Sequence, residues 1–124
     1  MRKDFPRNYR VADQIQRELS SLIRTEVKDP GLSHLLTISA VDVSRDLSIA
    51  RVYITVLEAT QRETSMLALQ RASGYLRSQL AARLSIRAVP QLRFYYDDSV
   101  ERGEHLSGLI DAAVKSDAHN DNGG

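Results

Sequence analysis

Hydrophobic positions recur along this chain at two spacings. From Tyr9 to Lys28, Val11, Ile15, Leu19, Leu22, Ile23 and Val27 keep to the repeat of about 3.6 residues that puts side chains on one helical face, with Arg10, Arg17, Arg24 and Lys28 on the other. Asn8 is the candidate N-cap, and Asp29-Pro30-Gly31 is a strong stop. The spacing then drops to two. Thr37, Ser39, Val41 and Val43 alternate with Ile38, Ala40, Asp42 and Ser44, so a strand is predicted there. A second strand, Leu47 to Leu57, places Ala50, Val52, Ile54 and Val56 on one face and Arg51, Tyr53 and Thr55 on the other. The short polar link Ser44-Arg45-Asp46 suits a hairpin with Arg45 at its tip.

Helical spacing returns after Thr60-Gln61-Arg62-Glu63, a sequence able to form a capping box. Leu69, Leu76, Leu80 and Leu84 share one face with Ala72, on both sides of Gly74. A glycine inside a helix costs about 1 kcal/mol relative to alanine, so two helices are expected to meet at Ala72-Ser73-Gly74. A helix restarting there would aim unpaired N–H groups outward between Arg71 and Arg77, a combination suited to a backbone phosphate. Ile86 to Tyr96 reads as a third strand, with Pro90 near its start and Leu92, Phe94 and Tyr96 on one face. Asp98-x-x-Glu101 resembles a further capping box, opening a short helix through Leu106, Leu109, Ile110 and Val114. The expected organisation is a flexible basic arm (1–8), one domain (9–115) and a disordered tail (116–124). The domain is α+β, in the order helix, strand, strand, helix, kink, helix, strand, with an added C-terminal helix. Its three-stranded sheet should be mixed, with the helices packed on one face.

Composition narrows the function classes. With 124 residues, 42% of them hydrophobic, the chain has enough for one core. No apolar run approaches the roughly 18 residues of a membrane span, and Arg2 and Lys3 lead into no apolar signal region, so a cytoplasmic location is expected. The absence of cysteine removes disulfides, thiolate nucleophiles and sulfur metal sites. His34, His105 and His119 are not at metal-ligand spacing. Asp97, Asp98, Glu101 and Glu104 are accounted for as acids at a helix start, which leaves at most a weak Mg²⁺ contact, and no glycine-rich phosphate loop is present. No catalytic residue, metal or cofactor is therefore expected.

The net charge of +1 conceals an uneven distribution. Residues 1–28 carry +3, residues 62–93 carry +5, and residues 94–124 carry −5. Fourteen of the seventeen cations are arginine, whose planar fork grips phosphate and stacks on bases better than an ammonium does. A one-sided field of this kind suits a polyanion, while solvated helix faces are the plainer account.

The element order, with a small-residue break between the middle helices, resembles the type II KH fold of RNA-binding proteins. From Arg7 to about Val114 the chain is more narrowly similar to the ribosome-binding factor A family. The residues carrying this are Arg10-Val11-Ala12, the hairpin Val43-Ser44-Arg45-Asp46-Leu47-Ser48-Ile49-Ala50, the break Arg71-Ala72-Ser73-Gly74-Tyr75-Leu76-Arg77, and Pro90-Gln91-Leu92-Arg93-Phe94 with Asp97-Asp98-Ser99. The resemblance implies a monomeric, non-enzymatic factor that binds the free 30S small ribosomal subunit and precursor 16S rRNA. It implies assistance in late maturation of the 5′ end region and support of growth in the cold, with room for other assembly factors such as a GTPase. KH modules grip a single strand with a GxxG loop, whereas this chain has Ala72-Ser73-Gly74. Shape and phosphate recognition are expected instead, through Arg7, Arg10, Arg45, Arg71, Ala72, Ser73, Gly74, Arg77 and Arg87. The rival reading is an α+β protein-docking module that does not touch RNA.

Overall fold

The computed structural model describes residues 6–32, 36–84, 86–99 and 103. The first helix, α1 (Arg7–Thr25), buries Val11, Ala12, Ile15, Leu19, Leu22 and Ile23, the stripe that the spacing predicts. It starts earlier than expected. Pro6 is extended, and its carbonyl accepts the amides of Tyr9 and Arg10, so Arg7 and Asn8 belong to the helix and not to an arm. Asn8 is not the cap. Its amide instead donates to the Val43 carbonyl at 2.9 Å, tying the start of α1 to the far end of the first strand.

That strand, β1 (Leu36–Val43), pairs antiparallel with β2 (Ile49–Val56). The expected alternation holds along β2, where Ala50, Val52, Ile54 and Val56 are buried. It fails along β1. Ile38 pairs with Ile54 and Ala40 with Tyr53, so Ser39 is an extra residue in a β-bulge and the side-chain phase changes across it. Ile38, Val41 and Val43 therefore face the core, while Thr37, Ser39, Ala40 and Asp42 are exposed. A period-two count cannot see an inserted residue.

A 3₁₀ turn (Ala59–Gln61) leads into α2 (Arg62–Arg83). The anticipated capping box is not made. Thr60 lies inside the 3₁₀ turn, whose Gln61 amide is bonded to the Glu58 carbonyl, and the helix starts without a side-chain cap. The anticipated break at Ala72-Ser73-Gly74 is also absent, since α2 runs unbroken for 22 residues. Burial explains this. Leu69, Leu76 and Leu80 are each fully buried, and residues seven apart lie on one face only if the helix keeps its phase through Gly74. Burying such leucines contributes about 1.5–3 kcal/mol each, more than the roughly 1 kcal/mol that the glycine costs.

The last strand, β3 (Gln91–Tyr96), runs parallel to β2, giving the order β1-β2-β3 and the mixed three-stranded sheet that the sequence predicts. Leu92 is buried and Phe94 packs against the core on the same side. The helices lie antiparallel on this face. Arg83 meets Glu18, Tyr75 meets Glu26 and Arg71 meets Asp29, so α2 descends as α1 ascends. The expected C-terminal helix falls almost wholly outside the described residues, as do Met1–Phe5 and the tail.

Gly74 is exposed, and a Cβ built on it meets nothing within 4 Å. Gly74→Ala is thus expected to raise stability by about 0.4–1 kcal/mol, read as an increase in the denaturation midpoint with an unchanged m-value.

Candidate nucleic-acid interface

The structure divides the residues expected to contact RNA into two groups. One group gathers at the hairpin end. Arg7 and Arg10 are exposed on the first turn of α1, which the Asn8–Val43 bond holds beside the end of β1. Arg45 is exposed at the hairpin tip, as expected. Arg87 lies exposed in the loop before β3, and that loop is brought alongside the tip by the Gln91 amide, which donates to the Ser48 carbonyl at 2.9 Å. Three segments far apart in sequence thus place guanidinium groups at one end. Arg7, Arg45 and Arg87 form no ion pair among the described residues.

The hairpin tip is held in one shape by its own side chains. The Ser44 hydroxyl accepts the amides of Ser48 and Ile49 at 3.2 and 3.1 Å and donates to Asp46 at 2.8 Å. One oxygen of the Asp46 carboxylate also takes the Ser48 amide and hydroxyl at 3.1 and 2.7 Å. Bonds from Ser48 and then Ser44 hold the Asp46 carboxyl below its usual range, keeping it an acceptor. Leu47 has a φ of 63°, a left-handed conformation unusual for leucine, while its side chain packs against the core. Arg45 is therefore carried on a braced loop.

The second group is Arg71, Ala72, Ser73, Gly74 and Arg77, and here the expected geometry is overturned. The amides of these residues lie within the unbroken α2, so no bare N–H cluster is presented, and Ser73 donates to the Gln70 carbonyl. Arg71 grips Asp29 with two parallel bonds, Nε to Oδ2 at 3.0 Å and Nη2 to Oδ1 at 2.9 Å. The Gly31 amide adds a third bond to the same carboxylate at 2.9 Å. The turn after α1 is thereby fastened to α2, tightly enough that a Cβ on Gly31 would lie 3.3 Å from both Arg71 Nη2 and the Thr64 carbonyl. Arg71, and secondarily the Gly31 amide, hold the Asp29 carboxyl below the usual range. Beside this staple is an open groove lined by Lys28, Pro30, Ala72 and Tyr75 among others. Arg77 directs Nε and Nη2 at the Val89 carbonyl, at 3.1 and 2.8 Å, and so latches α2 to the loop carrying Arg87. Both arginines are committed to holding the fold together.

The open face of the sheet, opposite the helices, presents arginine and tyrosine from both β2 and β3. Arg51 pairs with Arg93 and Tyr53 with Tyr95 across β2 and β3. The tyrosine rings stack with centroids 5.7 Å apart. The repeated Arg-x-Tyr at 51–53 and 93–95 is the signal that could have singled them out. At the other end of β3 the Arg62 guanidinium lies 3.8 Å over the Tyr96 ring, seating the start of α2.

Comparison with known proteins places this geometry. The family model described as ribosome-binding factor A matches residues 7–110. The chain belongs to the ribosome-binding factor A family. The ribosome-binding factor A of Thiobacillus denitrificans is 56% identical over 119 residues, covering 95% of each chain. That of Pseudomonas fluorescens is 51% identical over 121 residues, covering 95% of this chain and 90% of the relative. Among solved structures, ribosome-binding factor A from Thermus thermophilus aligns with a TM-score of 0.65 at 34% identity, over 72% of this chain and 93% of that one. A ribosome-binding factor A homology model from the same organism, fitted into a cryo-electron microscopy map of a 30S complex, aligns with a TM-score of 0.60 at 34% identity, over 70% of this chain and 91% of that one. Family members thus share the α+β fold seen here.

Arg77→Ala should lower stability by about 1–2 kcal/mol, because the Val89 carbonyl loses both charged donors, and Arg77→Lys should recover part of the loss in the same denaturant titration. Asp29→Asn should lose stability in a pH-dependent way. A depressed carboxyl stabilises fully above its unfolded pKa, and that stabilisation disappears as pH falls through the lower folded value. The gap between wild type and Asp29→Asn should stay constant from neutral pH down to the ordinary carboxylate range, then close below it in thermal melts.

Proposed function

We propose that this chain is a non-enzymatic assembly factor that binds the free 30S small ribosomal subunit and contacts precursor 16S rRNA through its hairpin end. In this reading it acts as a monomer in the cytoplasm, assists late maturation of the 5′ end region of that RNA, and supports growth in the cold. The observation that carries the reading is the convergence of Arg7, Arg10, Arg45 and Arg87 from α1, the hairpin and the β3 approach onto one end. Guanidinium groups on a braced loop and a helix start suit phosphates held at fixed positions on a folded RNA. Such contacts position a protein without reading sequence, so the surface selects for how the RNA is folded. A binding site read in this way is lost when maturation moves the phosphates, which gives a physical route to release. Arg71 and Arg77 enter this reading as the residues that hold the surface together.

The test is sedimentation of the purified chain with free small subunits at stepped salt. Binding should fall linearly on logarithmic axes, with a slope of roughly 0.7–0.9 for each phosphate contact. Arg45→Ala combined with Arg87→Ala should weaken binding and make the slope shallower by about two contacts, without lowering the melting temperature. A flat salt response, or unchanged binding by that variant, would favour the protein-docking reading.

A further inference from the structure

The geometry points to a second RNA contact on the opposite side of the sheet from the helices: Tyr53 and Tyr95, flanked by Arg51 and Arg93, form a stacking platform for unpaired nucleotides. This inference rests on the RNA-binding reading and extends it to a surface away from the hairpin end. In register, Asp42, Arg51 and Arg93 form one row across the three strands, and Ala40, Tyr53 and Tyr95 form the next. The two rows are two residues apart along each strand, on the same face.

Both rows are poorly explained by folding alone. Directly opposed like charges destabilise a sheet, yet Arg51 and Arg93 are cross-strand partners. Of the two, only Arg51 meets a carboxylate among the described residues. Asp42 reaches Arg51 at 3.5 Å, and Arg93 has no ion-pair partner among the described residues. The nearby acid Asp97 is engaged by Ser39 from the bulge at 2.5 Å. An anion between the two guanidinium groups would satisfy both. In the adjacent row, two stacked tyrosines lie on the side of the sheet away from the core, with Tyr95 40% exposed. The core gains little from them.

The chemistry selects an unpaired RNA strand as the occupant. A base has a flat face to lay on a tyrosine ring, and its phosphate carries the charge that the neighbouring arginine row lacks. Apart from Leu57 past the end of β2, a protein partner docking by apolar burial would find only Ala40 and Ile49 beside the tyrosines on this face. The bulge at Ser39 contributes as well. By shifting the phase of β1 it turns Ala40, the smallest side chain in the row, toward the tyrosines, leaving their edge accessible.

The test uses the full chain, an unstructured RNA of about eight nucleotides, and purified small subunits. The variants are Tyr53→Leu with Tyr95→Leu, and the conservative Tyr53→Phe with Tyr95→Phe. Wild type should bind the oligonucleotide in fluorescence anisotropy with quenching of tyrosine emission. The leucine pair should bind about tenfold or more weakly, and the phenylalanine pair should retain affinity because the ring faces remain. Arg93→Gln should weaken binding and reduce its salt dependence. The hairpin variant Arg45→Ala with Arg87→Ala should weaken subunit binding more than oligonucleotide binding, and the leucine pair should do the reverse, so the two surfaces fail separately. An oligonucleotide that does not bind wild type, or binds the leucine pair equally well, overturns the platform. Equal oligonucleotide binding with loss of subunits in the leucine pair also overturns it, assigning the face to a protein contact.

Discussion

The apolar inner face of β2 dictates how everything else in this molecule is placed. Ala50, Val52, Ile54 and Val56 point to one side of the central strand, flanked by β1 and β3, and they leave water only if helices cover that side. Two helices do so, α1 over β1 and α2 over β3, meeting along Leu19, Leu22, Leu69, Leu76 and Leu80. One layer of each kind is enough for a chain of this length. Once both helices are committed to one face, the other face of the sheet and the two ends of the molecule are what remain for a partner.

Holding that arrangement falls largely to arginine. Arg71 fastens the turn after α1, Arg77 fastens the approach to β3, Arg83 bridges the helices to Glu18, and Arg62 seats the start of α2 on Tyr96. All four are on α2, and each reaches a different part of the chain. The guanidinium group suits this use because it offers several donors in a fixed plane, so a single residue can grip a carboxylate or a carbonyl from two points. Other exposed arginines have no such partner among the described residues. Arg7, Arg45 and Arg87 face solvent at the hairpin end, Arg93 on the sheet and Arg24 in the last turn of α1. The fastening arginines are thus gathered on α2, although all the guanidinium groups are chemically the same.

Much of the fold was legible in the sequence because burial on one face imposes a period. The stripe of α1, the alternation of β2 and the phase of β3 all follow from it, and so does the mixed sheet, since a helical crossover joins parallel neighbours. The misreadings share one cause. The local cost of Gly74 is real and marks it as a breaker in sequence, but the leucines on either side are buried together and override it. Ser39 looked like any polar strand residue until pairing with β2 left it over. Asn8 and Thr60 have the chemistry of caps, yet Asn8 serves a strand carbonyl and Thr60 sits inside a 3₁₀ turn.

The candidate site divides in the same way. An arginine-rich α+β domain with a charged hairpin tip can be read from the residues alone, because composition and periodicity are properties of the chain that folding does not change. Which arginines hold the fold together and which stay exposed is settled by packing. Asp29 is 42 residues from Arg71, Val89 is 12 from Arg77, and Arg93 meets Arg51 only through the parallel register of β3 on β2. Whether a guanidinium group is bound or open depends on what lies within about 3 Å of it, and that distance is set by packing between distant segments.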